Sequence, residues 1–220
     1  MKNIIFIAPP AAGKGTQAKL VSEEYNIPHI STGDLLREEI DNGSEIGLSI
    51  KKDMETGNLV SDEVITTLLK NRITKSDCQN GYILDGYPRN LAQAKKYNEL
   101  LEELNLDKGV VIFFNIDKEI ALERTLSRIV CKNCGSSYNL LIEDLKPKKE
   151  NICDRCNSEL KTRADDTEEV FIHRFETYIN STKDLIEYYN NLGLLHEVEV
   201  STKPVESIFE EVKEILNDYY

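Results

Sequence analysis

Ala8-Pro9-Pro10-Ala11-Ala12-Gly13-Lys14-Gly15-Thr16 joins an apolar run, Ile4-Ile5-Phe6-Ile7, to a helical pattern opening on Gln17-Ala18-Lys19-Leu20-Val21. A loop between a strand and a helix is where an anion site forms. Backbone N–H groups of the loop and of the helix N-terminus point at the anion, and the helix dipole favours it. In this reading Ala11, Ala12, Gly13 and Gly15 supply backbone to a phosphate. Lys14 reaches the β- and γ-phosphates, and the Thr16 hydroxyl is placed for Mg²⁺ or a phosphate oxygen. The loop departs from the general pattern of Gly, four residues, Gly-Lys and Ser or Thr. Ala8 stands at the first glycine, and Gly15 separates Lys14 from Thr16. Taken by itself the stretch also suits an ordinary βα turn with a helix-initiating Thr, and the rest of the chain decides between the two.

Strand-like runs recur between helical patterns. They are Ile4–Ile7, a short one at His29-Ile30, Tyr82-Ile83-Leu84, Val110–Phe114 and His196–Val200. Amphipathic stretches begin near Lys14, Asp34, Asp62, Leu91, Lys118 and Glu168, and a last one runs from Pro204, read as a first-turn proline, towards Leu216. Strands alternating with helices imply an α/β fold, a parallel sheet with helices on both faces. Such sheets bind ligands at the carboxyl ends of their strands. The phosphate loop and Asp85-Gly86-Tyr87-Pro88-Arg89 both fall at such ends.

Composition bounds the partners. The chain has 220 residues, 40% of them hydrophobic, with a net charge of −12. That acidity argues against a nucleic-acid or acidic-membrane partner, which needs clustered Lys and Arg. No apolar run approaches the roughly 18 residues of a membrane span, and the N-terminal run is too short for a signal peptide. A cytoplasmic location is expected. Four of the five cysteines form two pairs, Cys131-x2-Cys134 and Cys153-x2-Cys156, with 18 residues between the pairs. This spacing suits a structural Zn²⁺ site. Two disulfides or surplus thiols are the other readings, and a reducing compartment disfavours the first. The segment 131–160 reads as a small insertion that metal would stabilise. Cys78 reads as a small buried residue, and His29, His173 and His196 suit neither a metal cluster nor a catalytic dyad by spacing.

Four further motifs complete the pattern: Ser31-Thr32-Gly33-Asp34-Leu35-Leu36-Arg37; Thr56-Gly57-Asn58-Leu59-Val60; Asp85-Gly86-Tyr87-Pro88-Arg89 with Gln93; and Arg163-Ala164-Asp165-Asp166 followed by Arg174. With the loop, this ordered set resembles the adenylate kinases, in the bacterial form with a zinc-bearing lid, over essentially the whole chain. The resemblance implies the P-loop nucleoside monophosphate kinase fold. It implies a core of residues 1–30, 61–126 and 165–220, an AMP-binding flap at 31–60 and a lid at 127–164. The implied activity is Mg²⁺-dependent phosphoryl transfer between ATP and AMP, giving ADP, by a monomer.

The resemblance also implies roles. Arg37 and Arg89 clamp the AMP phosphate. Asn58, Leu59, Val60, Gly86, Tyr87 and Pro88 line the AMP site, and Thr32 and Gln93 read its adenine. Arg128 contacts ATP and Arg124 stacks near its adenine. Ser137, Tyr138 and Lys203 complete the ATP site, the last within Thr202-Lys203-Pro204-Val205. Arg163 and Arg174 stabilise the moving phosphoryl group, and both also reach AMP. Asp85 holds Mg²⁺ through water, a role its place at a strand end also suits. Cys131, Cys134, Cys153 and Cys156 hold Zn²⁺.

Three features set this chain apart. Ala8 and Ala11 stand where the family loop has glycine. A positive φ at either would cost an alanine about 1 kcal/mol. Ile129 follows Arg128 where many relatives have a second Arg, so one lid phosphate contact is expected to be missing. Tyr87-Pro88-Arg89-Asn90 also resembles the pyrimidine monophosphate kinases, which leaves a UMP/CMP-type kinase as an alternative. A nucleotide-gated binding protein gripping a partner through its zinc module is the third reading. Its support is Lys146, Lys148 and Lys149, which Glu143, Asp144 and Glu150 balance.

Overall fold

The computed structural model describes residues 3–56 and 60–219. The central strand is β1, Asn3–Ile7, and it has no charged residue. Its side chains alternate between two apolar cores, as the period of a strand requires. Ile4 and Phe6 enter one core, while Ile5 and Ile7 enter the other. Buried on both faces, such a strand suits the middle of a parallel sheet. β2 (His29–Ser31), β3 (Tyr82–Asp85), β4 (Val110–Asn115) and β8 (Leu195–Glu199) complete that sheet in the order β2-β3-β1-β4-β8, all parallel.

Helices cover both faces. The first core takes Ala18 and Val21 of α1 (Lys14–Tyr25), Ala121 of α6 (Lys118–Leu126), and Ile208, Phe209, Val212 and Leu216 of α8 (Val205–Asn217). The second takes Leu36 of α2 (Thr32–Asp41), Ile50 of α3 (Glu45–Thr56), Leu69 of α4 (Asp62–Ile73) and Tyr97 of α5 (Leu91–Glu103). The 24 residues of α7 (Glu168–Asn191) serve both cores. Such a helix is about 36 Å long, so Phe171 and Phe175 pack on the first face and Leu185 and Tyr189 on the second.

Three differences from the sequence reading stand out. The flap holds a second helix, α3, that periodicity alone does not announce. It lies so close to α2 that a Cβ on Gly47 would sit 2.1 Å from the Glu39 carbonyl oxygen, so only glycine fits there. Pro204 caps α8 from outside rather than sitting in its first turn. The lid contains a small antiparallel sheet in the order β6-β5-β7, formed by β5 (Arg128–Cys131), β6 (Ser137–Asn139) and β7 (Leu160–Lys161). Its core of Ile129, Cys131, Cys153 and Leu160 is separate from the two main cores. Ile129 is therefore a packing residue of the lid, which explains an apolar side chain there.

Candidate functional site

The carboxyl ends of β1, β2 and β3 converge on one cleft. From β1 the chain enters the phosphate loop, where Ala11 (φ 61°) and Gly13 (φ 83°) are both left-handed. Gly13 then caps α1, and the first turn of that helix directs N–H groups without intrahelical partners into the cleft. Ala8 keeps an ordinary φ, so of the two alanines standing where the family loop has glycine only Ala11 is strained. Left-handed backbone costs a residue with a Cβ about 1–2 kcal/mol, part of which its lower unfolded-state entropy offsets. Ala11→Gly is expected to raise the unfolding free energy by up to about 1 kcal/mol. A urea titration checks this, and a lower midpoint would contradict the strained geometry.

Asp85 ends β3 and meets the loop lysine: Lys14 Nζ lies 3.0 Å from Oδ1. His29 Nε2 lies 3.1 Å from Oδ2, so this histidine belongs to the site, against the structural role its strand position suggests. Burial pushes the Asp85 carboxyl up, but Lys14 and His29 outweigh it and hold the group well below the usual carboxylate range. Asp85 is thus a fixed anion facing a fixed cation. Its carboxylate, like the hydroxyl that Thr16 offers in the first turn of α1, is a hard oxygen donor of the kind Mg²⁺ takes.

Thr32 opens α2 next to Asp85, donating from Oγ1 to the Asp85 carbonyl oxygen at 3.3 Å. Ser31 caps the same helix by accepting from the Asp34 N–H. Arg37 pairs with Asp34 one turn back. Arg89 follows the cis Tyr87–Pro88 peptide and donates from Nε to the Gly86 carbonyl at 2.8 Å. Val60 is buried in the second core, whereas Asn58 and Leu59 lie outside the described residues. Gln93 is fully buried, with both ends of its amide engaged: Nε2 donates to Asp62 Oδ1 at 2.7 Å, and Oε1 accepts from the Arg89 N–H at 2.7 Å. Beside Thr32, an apolar crevice runs between Leu35 and Leu36 of α2 and Ile65 and Leu68 of α4.

The arginines converge electrostatically. Surrounding protein lowers the Arg89 pKa although the side chain stays exposed, and Arg174 and Arg37 lower it further against the pull of Asp85. Enclosure likewise lowers that of Arg163, with added repulsion from Arg128 and Arg37. Arg37 therefore lies within electrostatic reach of both Arg89 and Arg163. Arg128 makes a two-pronged pair with Asp166, its Nε 2.8 Å from Oδ2. Arg174 donates to Asp165 Oδ2 at 2.7 Å. Neighbouring carboxylates thus hold Arg128 and Arg174 in place.

On the lid side, Arg124 donates to the carbonyl oxygens of Val200 and Ser201 at 3.0 and 2.9 Å, tying α6 to the segment that carries Lys203. Lys203 pairs with Glu211. Ser137 is exposed at the start of β6. The Tyr138 hydroxyl is engaged inside the lid, accepting from the Asp154 N–H at 2.8 Å and lying 3.5 Å from Cys153 Sγ. Sequence reasoning missed Asn139. Its Nδ2 donates to the Arg124 carbonyl at 2.9 Å, and its Oδ1 accepts from the Leu141 N–H at 2.9 Å, so it pins the lid hairpin to α6.

The four lid cysteines come together as their spacing predicts. Each pair folds the same way. Gly135 N–H bonds to the Cys131 carbonyl and Cys131 N–H to that of Ser136; Asn157 and Ser158 do the same around Cys153. Gly135 and Asn157 are both left-handed, which makes the turn possible. All four sulfurs lie within 4.8 Å of one another, with Cys131–Cys156 at 3.4 Å and Cys134–Cys153 at 3.5 Å. Sulfurs around a tetrahedral Zn²⁺ stand about 3.8 Å apart, so the set fits that ion. Side-chain hydrogen bonds involving Asn133 and Ser158 bring the Cys156 thiol down to about 5, while burial pushes that of Cys131 up to about 11. Among the described residues, no helix is long and apolar enough to cross a membrane.

Comparison with known proteins agrees with this geometry. A family model described as adenylate kinase matches residues 6–194. The adenylate kinase of Archaeoglobus fulgidus is 46% identical over 214 residues, 97% of each chain. That of Geobacillus sp. is 42% identical over 97% of this chain and 98% of its own. That of Methanosarcina barkeri is 43% identical over 99% of both.

Proposed function

Because this chain belongs to the adenylate kinase family, we propose that its cleft passes the γ-phosphoryl group of ATP directly to the phosphate of AMP, giving two ADP. The observation that carries this reading is the meeting of Lys14 and Asp85 at 3.0 Å amid guanidinia from both sides of the cleft. A protein that binds one nucleotide needs one phosphate clamp. Arg37 and Arg89 on one side, with Arg128, Arg163 and Arg174 on the other, suit two phosphate groups facing each other.

Phosphoryl transfer asks for positioning and charge stabilisation rather than covalent chemistry. The loop N–H groups of residues 11–16 hold the donor's phosphates, and Lys14 neutralises charge between β and γ. Arg37 and Arg89 fix the acceptor phosphate in line. Arg163, with Arg174 released from Asp165, meets the charge that spreads over the transferring group. Asp85, through water, and Thr16 would hold Mg²⁺, which when bound would supply charge compensation to the phosphates. Arg124 and Lys203 flank the donor base, and Thr32 and Gln93 read the acceptor base.

The flap at 31–60 and the lid at 127–164 move against a rigid core at 1–30, 61–126 and 165–220. Water in the cleft would hydrolyse the γ-phosphoryl, yet substrates must enter and leave, so closure follows binding. The lid's four thiolates need a reducing compartment, which fits a monomeric cytoplasmic enzyme. A coupled assay comparing AMP, CMP, UMP and GMP as acceptors tests the reading. AMP is expected to have the highest kcat/KM, and equal efficiency with CMP would favour the pyrimidine-kinase alternative.

A further inference from the structure

We propose that Asp62 is a positioning residue that sets which face of the Gln93 amide meets the acceptor base. The inference rests on the reading of Gln93 as a base-reading residue and extends it. A glutamine amide has two N–H donors and two lone pairs on its oxygen. Its two ends are nearly the same shape, so packing alone does not choose between them. Here hydrogen bonding does. Asp62 offers only acceptors and takes the Nε2 donor at 2.7 Å. The Arg89 N–H offers only a donor and takes Oε1 at 2.7 Å. Turning the amide over would set oxygen against carboxylate and N–H against N–H. Both partners therefore impose the same orientation.

That orientation leaves one N–H and one lone pair unspent. Adenine presents a complementary pair on its Watson–Crick edge, an exocyclic N–H and the N1 acceptor. Hypoxanthine presents the reverse, an oxygen at C6 and an N1–H. A locked amide discriminates between them, whereas a freely turning one serves both. The backbone of Gln93 is fixed as well: its N–H bonds to Asn90 Oδ1 at 2.9 Å, and its carbonyl accepts from the Tyr87 hydroxyl at 3.2 Å. The amide is sealed in this arrangement, so a base reaches it when the seam between α2 and α4 opens. Asp62 leads α4, on one side of that seam. A carboxylate in a first helical turn is favoured by the helix dipole alone. That preference does not require a bond to a residue 31 positions away.

The test compares kcat/KM for AMP and for inosine monophosphate in four proteins: unmutated, Asp62→Asn, Gln93→Ala and the double variant. Asn keeps the size of Asp, but its own amide can donate as well as accept, so only the Arg89 N–H still favours one orientation. Asp62→Asn is expected to lower the AMP-to-IMP ratio about tenfold, the worth of one well-placed hydrogen bond. The change should fall on KM for the acceptor, with KM for ATP as the internal reference. Gln93→Ala should lower the ratio at least as far, and the double variant no further than Gln93→Ala. A ratio unchanged in Asp62→Asn but collapsed in Gln93→Ala would overturn the positioning role and leave the base-reading role intact. A ratio unchanged in Gln93→Ala would overturn both. A full further loss in the double variant would show that Asp62 acts elsewhere, and would also overturn the proposal.

Discussion

Lys14→Met is expected to lower kcat by at least about 10²-fold, the scale seen when one preorganised electrostatic group is removed from a transition state. Met keeps the length of the lysine stem and removes its charge. In the resting protein Lys14 Nζ stands 3.0 Å from Asp85, so the ammonium is already placed where donor phosphates must pass. Losing it also removes one partner of the Asp85 carboxylate, while His29 keeps its bond at 3.1 Å. The fold should therefore survive, because the sheet and both apolar cores are untouched. Initial rates with saturating ATP and AMP, beside circular dichroism, check both parts. A well-folded variant that keeps more than about a tenth of the original turnover would contradict the role given to Lys14.

Removal of metal from the lid is expected to have the larger effect on stability. One Zn²⁺ per chain should be bound by Cys131, Cys134, Cys153 and Cys156. The lid's separate core has four buried residues, and two of them are the ligands Cys131 and Cys153. So little apolar burial cannot order a segment of this length, and most of the binding free energy becomes folding free energy. Chelation should lower the melting temperature. Four thiolates fill a tetrahedral shell and leave no position for water or substrate. Well below the new melting point, with excess Mg²⁺, activity should then persist at least in part. Metal analysis of reduced protein that found no zinc would contradict the site. Chelation that stopped turnover at once with the fold intact would show the metal acting in catalysis.

Much of this architecture is legible in the sequence because its signals are local. Ile4–Ile7 with Gly13-Lys14 a few residues on announces both a buried strand and the phosphate loop at its carboxyl end. Cys-x2-Cys announces a metal turn because the ligands and the turn lie within a few residues. What stays hidden depends on distant partners. Asp62 reads as a helix-start carboxylate, and only the fold reveals its bond to Gln93. His29 reads as a strand residue until β2 and β3 pair and bring it to Asp85. The lid strands have four, three and two residues, too few for alternation to register. Asn139 looks like any loop asparagine, yet it joins the lid to α6. Helix α3 buries Ile50 but leaves Leu48 exposed, so its apolar stripe is narrow, and its place depends on Gly47 meeting α2.

One cleft is proposed to hold donor and acceptor together and to close over both. Hydrogen exchange with a bisubstrate ligand, two adenosines joined through five phosphates, tests it most directly. Such a ligand spans both clamps only if they face each other. One ligand should bind per chain, with increased protection in the lid at 127–164 and in the flap at 31–60, and little change in the sheet. Tight binding that left exchange in the lid unchanged would contradict it.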